Sequence, residues 1–385
     1  MRRLYLDHNA TTPVRPQVRD ILLATMDRLG GNPSSVHASG REARDLLDQA
    51  RERVAGALGV LEDEVIFTSG GTESDNLALQ GVLLRSKPGA RLVTTAIEHS
   101  AVLRPAEELR AQGFEVQVVG VDSDGEVDAE ALLEAAQGAA LVSVMAANNE
   151  LGNGTDLSHL CEQLRERYGD ARPVIHTDAV QVLGKRPLDL AQWGIDLASF
   201  SAHKIGGPLG CGILVRRMGT LLRPVTFGGG QEADLRPGTE NVPAIVASSH
   251  AIELAVQEQA AFAEHTGTLV NMLWSRLRQA LPDVRLLGQD LDHPLRLPNT
   301  INLLIDGIDG RAWVARLDME GLEASAGSAC ASGSLEPSHV LLALGLSREQ
   351  ARTGLRLSLG RSTKAEDIHK AVDIVGKTAA NARKS

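Results

Sequence analysis

An α/β fold with a mostly parallel seven-stranded sheet is predicted by three observations. Seven short apolar runs, at 64–68, 91–96, 116–121, 140–146, 173–177, 195–200 and 211–215, alternate with stretches of helical periodicity. Polar and glycine-rich turns stand at the carboxyl ends of several runs, where open α/β sheets bind ligands. Beyond Arg285 the alternation gives way to short strands mixed with helices, which predicts a second, smaller α+β domain.

Between Gly40 and Gly59, residues Leu46, Leu47, Ala50, Val54, Ala57 and Leu58 fall on one side of a helix. The runs that follow are short and continuously apolar, as strands covered on both faces require. Residues 243–281 read as one long helix, with Leu269, Leu273, Leu277 and Leu281 at i+4 steps. That helix is expected to be a spine joining two domains. Thr300–Leu304 reads as a strand of the smaller one.

Composition narrows the function. A chain of 385 residues is long for a single core. A net charge of −10 and a pI near 5.6 argue against a nucleic-acid surface. No apolar run reaches the ~20 residues of a membrane span, and the start, Met1-Arg2-Arg3-Leu4, has no apolar signal core. A cytoplasmic protein without nucleic-acid or membrane partners is expected. Three cysteines give neither a disulfide framework nor a metal spacing, so no metal is expected. Cys161, in a helical pattern, and Cys211, at a strand start, read as packed. Cys330 lies in Ser325-Ala326-Gly327-Ser328-Ala329-Cys330-Ala331-Ser332-Gly333-Ser334, which is too small-sided to build a core. It reads either as an exposed, reactive thiol or as a small hydrophobe in a tight turn.

Four segments carry chemistry. Ser201-Ala202-His203-Lys204 ends a strand ahead of glycines. A lysine desolvated there has a lowered pKa and a lone pair for a carbonyl, as a Schiff base to pyridoxal phosphate needs; otherwise Lys204 is a solvated loop lysine. Asp178 ends the strand of Val174-Ile175-His176-Thr177 and can pair with a protonated pyridine nitrogen. Gln181 shares its face if the chain turns helically and can donate to a ring phenolate. The alternative has Asp178 capping a helix and Gln181 on the surface. Thr68-Ser69-Gly70-Gly71-Thr72-Glu73-Ser74 is a strand-to-helix turn. It suits either a phosphate at a helix N-terminus or an ordinary turn capped by Thr72 or Ser74. His99 stands at a strand exit, with Ser100 placed to cap the next helix. There the imidazole either stacks on a ring and moves protons, or is structural.

Together these segments resemble the class V aminotransferase group of pyridoxal phosphate enzymes, and within it the cysteine desulfurases of the NifS/IscS type. The ordered set runs from Tyr5-Leu6-Asp7-His8-Asn9-Ala10-Thr11-Thr12-Pro13 through Glu98-His99-Ser100 and Asn148-Asn149-Glu150-Leu151-Gly152. It continues through Arg236-Pro237-Gly238-Thr239 and Gly327-Ser328-Ala329-Cys330 to Arg356-Leu357-Ser358-Leu359-Gly360. The resemblance implies the pyridoxal phosphate fold type I. It implies a large cofactor-binding domain over 15–255, and a small domain over 1–14 and 256–385 that carries a cysteine loop at about 325–337. It also implies conversion of L-cysteine to L-alanine in a homodimer. The sulfur passes to Cys330 as a persulfide and then to a sulfur-acceptor or iron–sulfur scaffold protein.

The resemblance gives each residue a role. Lys204 bonds the cofactor and moves the α-proton. Asp178 holds the pyridine nitrogen, Gln181 the phenolate, and His99 stacks on the ring. Thr72, Ser201 and His203 hold the phosphate, with Thr239 of the other subunit. Arg356 grips the substrate carboxylate, for which a guanidinium is suited, and Asn149 supports the substrate or the ring oxygen. His8, Pro237, Ala233-Asp234 and Leu209-Gly210-Cys211-Gly212 depart from the family pattern, and none removes a proposed catalytic group. The rival readings are a selenocysteine lyase, another class V enzyme, or a catalytically silent scaffold.

Overall fold

A computed structural model describes residues 3–305, 307–326 and 336–382. The chain enters through a two-residue strand, β1 (Leu4–Tyr5), followed by helices α1 (Pro16–Arg28) and α2 (Ala38–Leu58). Strands and helices then alternate: β2 (Val65–Thr68), α3 (Gly71–Leu83), β3 (Arg91–Thr95), α4 (Ser100–Ala111), β4 (Glu115–Val119), α5 (Ala129–Ala135) and β5 (Leu141–Ser143). The alternation continues with α6 (Leu157–Tyr168), β6 (Val174–Asp178), α7 (Leu190–Trp193), β7 (Leu197–Ser201) and β8 (Gly212–Arg216). Helices α8 (Val242–Gln257) and α9 (Gln259–Ala280) lead into the last region. It comprises β9 (Arg285–Leu287), β10 (Thr300–Leu304), α10 (Gly310–Met319), β11 (Leu322–Glu323), α11 (His339–Ala343), α12 (Arg348–Ala351), β12 (Gly354–Ser358) and α13 (Ala365–Ala382).

The central sheet has the order β2-β8-β7-β6-β5-β3-β4. Strands β4, β3, β5, β6 and β7 run parallel, and β8 runs antiparallel to both β7 and β2. Alternate side chains divide between two cores, as the two-residue period of a strand dictates. Val93, Val142, Ile213 and Val215 face Leu47, Ala50 and Val54 of α2 in one core. Leu92, Leu141 and Leu214 face Leu77, Leu79, Val102 and Leu109 of α3 and α4 in the other. Covered on both faces, β5 and β7 are wholly buried, whereas the edge strand β4 exposes Glu115 and Gln117.

In the last region β9, β10 and β12 form an antiparallel sheet, and β1 pairs in parallel with β11. Leu4 and Leu6 are buried with Leu273 and Leu277 of α9, Leu303 of β10 and Val375 of α13. A further apolar cluster joins Ile97, Met145 and Leu151 to Leu304, Val340 and Leu341, so the two regions share packed surface.

The single helix expected over 243–281 is two helices, broken at Glu258. No glycine or proline marks the break. The Glu258 carboxylate ion-pairs with Arg15 at 3.1 Å and with Arg361, which ties the joint to the N-terminal segment and to the chain beyond β12. Leu281 caps α9 and is buried in the same apolar cluster as Leu269, Leu273 and Leu277.

Candidate active site

The strand ends that build the site lie side by side because β6 and β7 are neighbours in register, with Asp178 opposite Ser199. One cavity of about 880 Å³ opens at their carboxyl ends, a usual ligand position in this architecture. It is lined by Lys204, Asp178, Gln181, His99, Thr72, Ser201, His203, Asn149 and Arg356.

Lys204 closes a single 3-10 turn, Ala202–Lys204, that follows β7 directly. Its amino group donates to the carbonyls of Asn9 at 2.7 Å and Ala10 at 2.8 Å. The half-buried lysine is therefore held by the N-terminal segment and is not a solvated loop lysine. Gly206 sustains the turn beyond it with a φ of +84°, a conformation that favours glycine.

Asp178 caps no helix: its Oδ1 accepts from the Val180 N–H at 2.9 Å in a local turn. Burial raises its carboxyl pKa, opposed by the charges of His99 and Lys204. Gln181 is buried, not on the surface, and donates from Nε2 to the Asn9 carbonyl at 3.1 Å. His99, not Ser100, caps α4: its Nδ1 accepts from the Ala101 N–H at 3.1 Å. Ser100 is the first helical residue instead, because the imidazole already reaches the free N–H.

Neither Thr72 nor Ser74 caps α3. The capping position is Gly70, so no side chain there accepts from the first turn. Thr72 is exposed at the cavity, and the Ser74 hydroxyl lies 2.8 Å from that of Thr68. An uncapped helix N-terminus beside small residues is a ready anion site. Gly212 lets the turn pack closely, since a Cβ there would stand 2.4 Å from the Gly70 carbonyl carbon. His203 lies 3.1 Å from the Thr11 hydroxyl, and burial together with Lys204 pushes its pKa down to about 4.

Arg356, on β12, is 1% exposed and so is no surface ion pair. Its Nη2 donates to Asp7 Oδ1 at 2.6 Å and its Nη1 to the Asn149 carbonyl at 3.1 Å. Its Nε is buried without a hydrogen-bond partner among the described residues. The β12 backbone pairs with Ser325, and Glu336 and Pro337 line the cavity, so the described chain on both sides of 327–335 reaches this site. Cys330 itself lies outside the described residues. Thr239 does not line the cavity; it sits in an exposed loop with its hydroxyl 3.5 Å from Asn32 Nδ2. Cys161 and Cys211 are buried, and burial pushes their thiols up to about 12 and about 11.

Sequence reasoning missed several buried groups around the cavity. Asn9 bridges Lys204, Gln181 and Lys185. Lys185 follows Gln181 by four residues within the run of turns after β6, and its amine reaches back to the Gln181 side chain. Burial, together with the nearby charge of Asp178, raises the carboxyl pKa of Asp75, on α3, well above its ordinary value. His176 is clamped neutral between the hydroxyls of Ser143 and Ser199, and burial lowers its pKa to about 3. Among the described residues no cluster of His, Cys, Asp or Glu could hold a metal, and no helix is long and apolar enough to cross a membrane.

Comparison with known proteins fits this arrangement. Residues 4–371 match the family described as Aminotransferase class-V. The chain belongs to the class V aminotransferase family. Among its relatives, the protein named cysteine desulfurase IscS of Dictyoglomus turgidum is 42% identical over 376 residues, covering 97% of this chain and 94% of the relative. That of Methanosarcina thermophila, of the same name, is 41% identical, covering 97% of this chain and 91% of the relative. A solved structure of a NifS-like protein superposes with a TM-score of 0.91 at 36% identity, covering 98% of this chain and all of that one. A NifS-like protein from Rickettsia africae gives a TM-score of 0.86 at 31% identity, covering 98% of this chain and 99% of that one. The α/β architecture is thus the pyridoxal phosphate fold type I of this class V family. Its members use pyridoxal 5′-phosphate, and three features of the cavity suit that group. They are the uncapped end of α3, the buried Asp178 carboxylate, and the half-buried lysine at the end of β7.

Proposed function

We propose that this class V enzyme is a cysteine desulfurase, converting L-cysteine to L-alanine with transfer of the sulfur to Cys330. The observation that carries the reading is the gathering of Lys204, Asp178, Gln181, His99 and Arg356 around one cavity. Relatives about 40% identical over nearly their whole length support it.

In this reading Lys204 binds pyridoxal phosphate covalently, and Thr72, Ser201, His203 and the amino end of α3 hold its phosphate. Asp178 keeps the ring nitrogen protonated, since a cation at its free oxygen offsets the burial that raises it. Gln181 donates to the ring oxygen and His99 covers the ring face. When bound, the cofactor supplies an electron sink that weakens bonds around the substrate α-carbon. Arg356 anchors the substrate carboxylate, with Asn149 alongside, and so sets which bond is weakened. Lys204 would take the substrate α-proton and return it. The Cys330 thiolate attacks the substrate sulfur. The carbon–sulfur bond breaks with its electron pair left on the carbon side, which is then protonated. Alanine leaves, and Cys330 keeps a persulfide.

Cys330 is preferred over Cys161 and Cys211 because burial keeps those two thiols protonated. A reactive free thiol fits a reducing compartment such as the cytoplasm. Thr239 lies outside its own cavity on an exposed loop, which fits a homodimer in which it reaches the neighbour's phosphate. A sulfur-acceptor protein, such as an iron–sulfur scaffold, then takes up the persulfide sulfur. Incubation with L-cysteine and a thiol reductant tests the reading. Alanine and sulfide are expected in equal amounts, and alanine-free or sulfide-free turnover contradicts it.

A further inference from the structure

Lys185 is 4% exposed and bonds Gln181 and Asn9, two residues that line the cavity. Burying an amino group is costly unless its hydrogens find acceptors. The charged groups that act on it, Lys204 and Arg356, are both cationic and offer no compensation. The one titratable neighbour on which it acts in turn, His8, has its pKa pushed down to about 4 by burial and by Lys185. What Lys185 does have is two amide oxygens. Its Nζ donates to Gln181 Oε1 at 2.6 Å and to Asn9 Oδ1 at 3.0 Å.

Those contacts fix which way both amides face. The Asn9 Nδ2 is already committed to the Asn149 carbonyl at 3.1 Å and the Thr300 hydroxyl at 2.8 Å, so its oxygen turns to Lys185. The Gln181 Nε2 donates to the Asn9 carbonyl, an atom that can only accept. Its oxygen must then face a donor, and Lys185 is that donor. The same Asn9 carbonyl receives Lys204, and the Asn149 carbonyl receives Arg356. One buried amine thus stands behind the groups that face both halves of the cavity.

We propose that Lys185 is a positioning residue of the cofactor site: it holds the Gln181 amide with its N–H side toward the ring oxygen of pyridoxal phosphate, and ties that amide to the Asn9 segment that grips Lys204. The inference rests on the cavity being a pyridoxal phosphate site. Without Lys185 the Gln181 oxygen is left buried and unpaired, and the amide is oriented by its bond to the Asn9 carbonyl alone. The ring oxygen becomes more basic, and a proton shared with the cofactor-bound Lys204 nitrogen is held more tightly.

The test is a pH titration of the visible absorbance of the cofactor-loaded protein, without substrate. Lys185→Met is expected to raise the titration midpoint by about half a pH unit or more, the effect of a single lost hydrogen bond. Gln181→Leu is expected to raise it as well, and the double variant should titrate with Gln181→Leu alone, because Lys185 acts through Gln181. Lys185→Gln keeps an uncharged donor on a similar stem and is expected to stay near the unmodified protein. That variant also serves if Lys185→Met does not accumulate folded. An unmoved midpoint in Lys185→Met overturns the proposal. So does a shift that adds in full to that of Gln181→Leu, or a Lys185→Gln midpoint that moves with Gln181→Leu. An unmodified protein that shows no visible band when loaded overturns the cofactor reading itself, which separates the two failures.

Discussion

Arg356 and Asp7 are 349 residues apart in the chain, yet the Arg356 guanidinium donates to the Asp7 carboxylate at 2.6 Å. The strand β12 supplies one partner and the N-terminal segment the other. Asp7 itself bridges to Ser358 on the same strand. The pair holds the guanidinium at the cavity, where the proposed function has it grip the substrate carboxylate.

Arg356→Lys keeps the charge but loses the planar fork. The KM for L-cysteine is expected to rise tenfold or more, from the loss of about 1.5–3 kcal/mol of charge-assisted bonding. The absorbance of the bound cofactor should be unchanged. Steady-state kinetics check this, and an unaltered KM would remove Arg356 from substrate binding.

Lys204→Ala should abolish covalent attachment of the cofactor. After borohydride reduction of the unmodified protein, peptide mapping is expected to find pyridoxyl on Lys204. Label on another lysine, with Lys204 clean, refutes the assignment.

Gly212→Ala tests the packing beneath the phosphate. The new Cβ would meet the Gly70 backbone at 2.4 to 2.7 Å, where no flexible side chain can yield. Displacing the turn ahead of α3 is expected to weaken pyridoxal phosphate binding about tenfold, the scale of an overpacking strain. Equilibrium dialysis of the cofactor gives the answer. An unchanged affinity would show that the turn does not need this close contact.

How much of this was legible in the sequence depends on the scale of the feature. The strand ends were readable because apolar runs stop where cavity-lining residues begin, as at Asp178 and Ser201. The break at Glu258 was not, since it depends on Arg15 and Arg361 arriving from distant parts of the chain. The His99 cap was missed because serine is the commoner capping residue. Arg356 could be assigned to the substrate only by resemblance, for nothing local to β12 indicates that the strand is buried against Asp7. Lys185 and Asn9 gave no chemical signal of their own. Their contacts are with amide oxygens and carbonyls, which only the folded chain brings together.

Glu98 gives a pH signature. Burial raises its carboxyl from 4.5 to about 8, although Met145 N–H and the Thr95 hydroxyl both donate to it. Between those values the folded state keeps a proton that the unfolded chain has lost, so this group makes stability fall as pH rises from 4.5 to 8. His8, His176 and His203 act the other way. Lowered from 6.5 to about 4, 3 and 4, they cost stability as pH falls below 6.5. Glu98→Gln keeps the accepting oxygen and cannot ionise. Its melting temperature is expected to decline less between pH 6.5 and 8 and to keep the acid limb. Melting curves that run parallel for the two proteins would contradict the burial argument.

The central claim is that sulfur leaves L-cysteine onto Cys330. A single turnover without reductant, followed by peptide mass spectrometry and alanine quantitation, tests it most directly. One added sulfur on the Cys330 peptide is expected for each alanine formed, and no added sulfur in Cys330→Ser, which should keep its bound cofactor. Added sulfur on Cys161 or Cys211 with none on Cys330, or alanine and sulfide produced normally by Cys330→Ser, would contradict it.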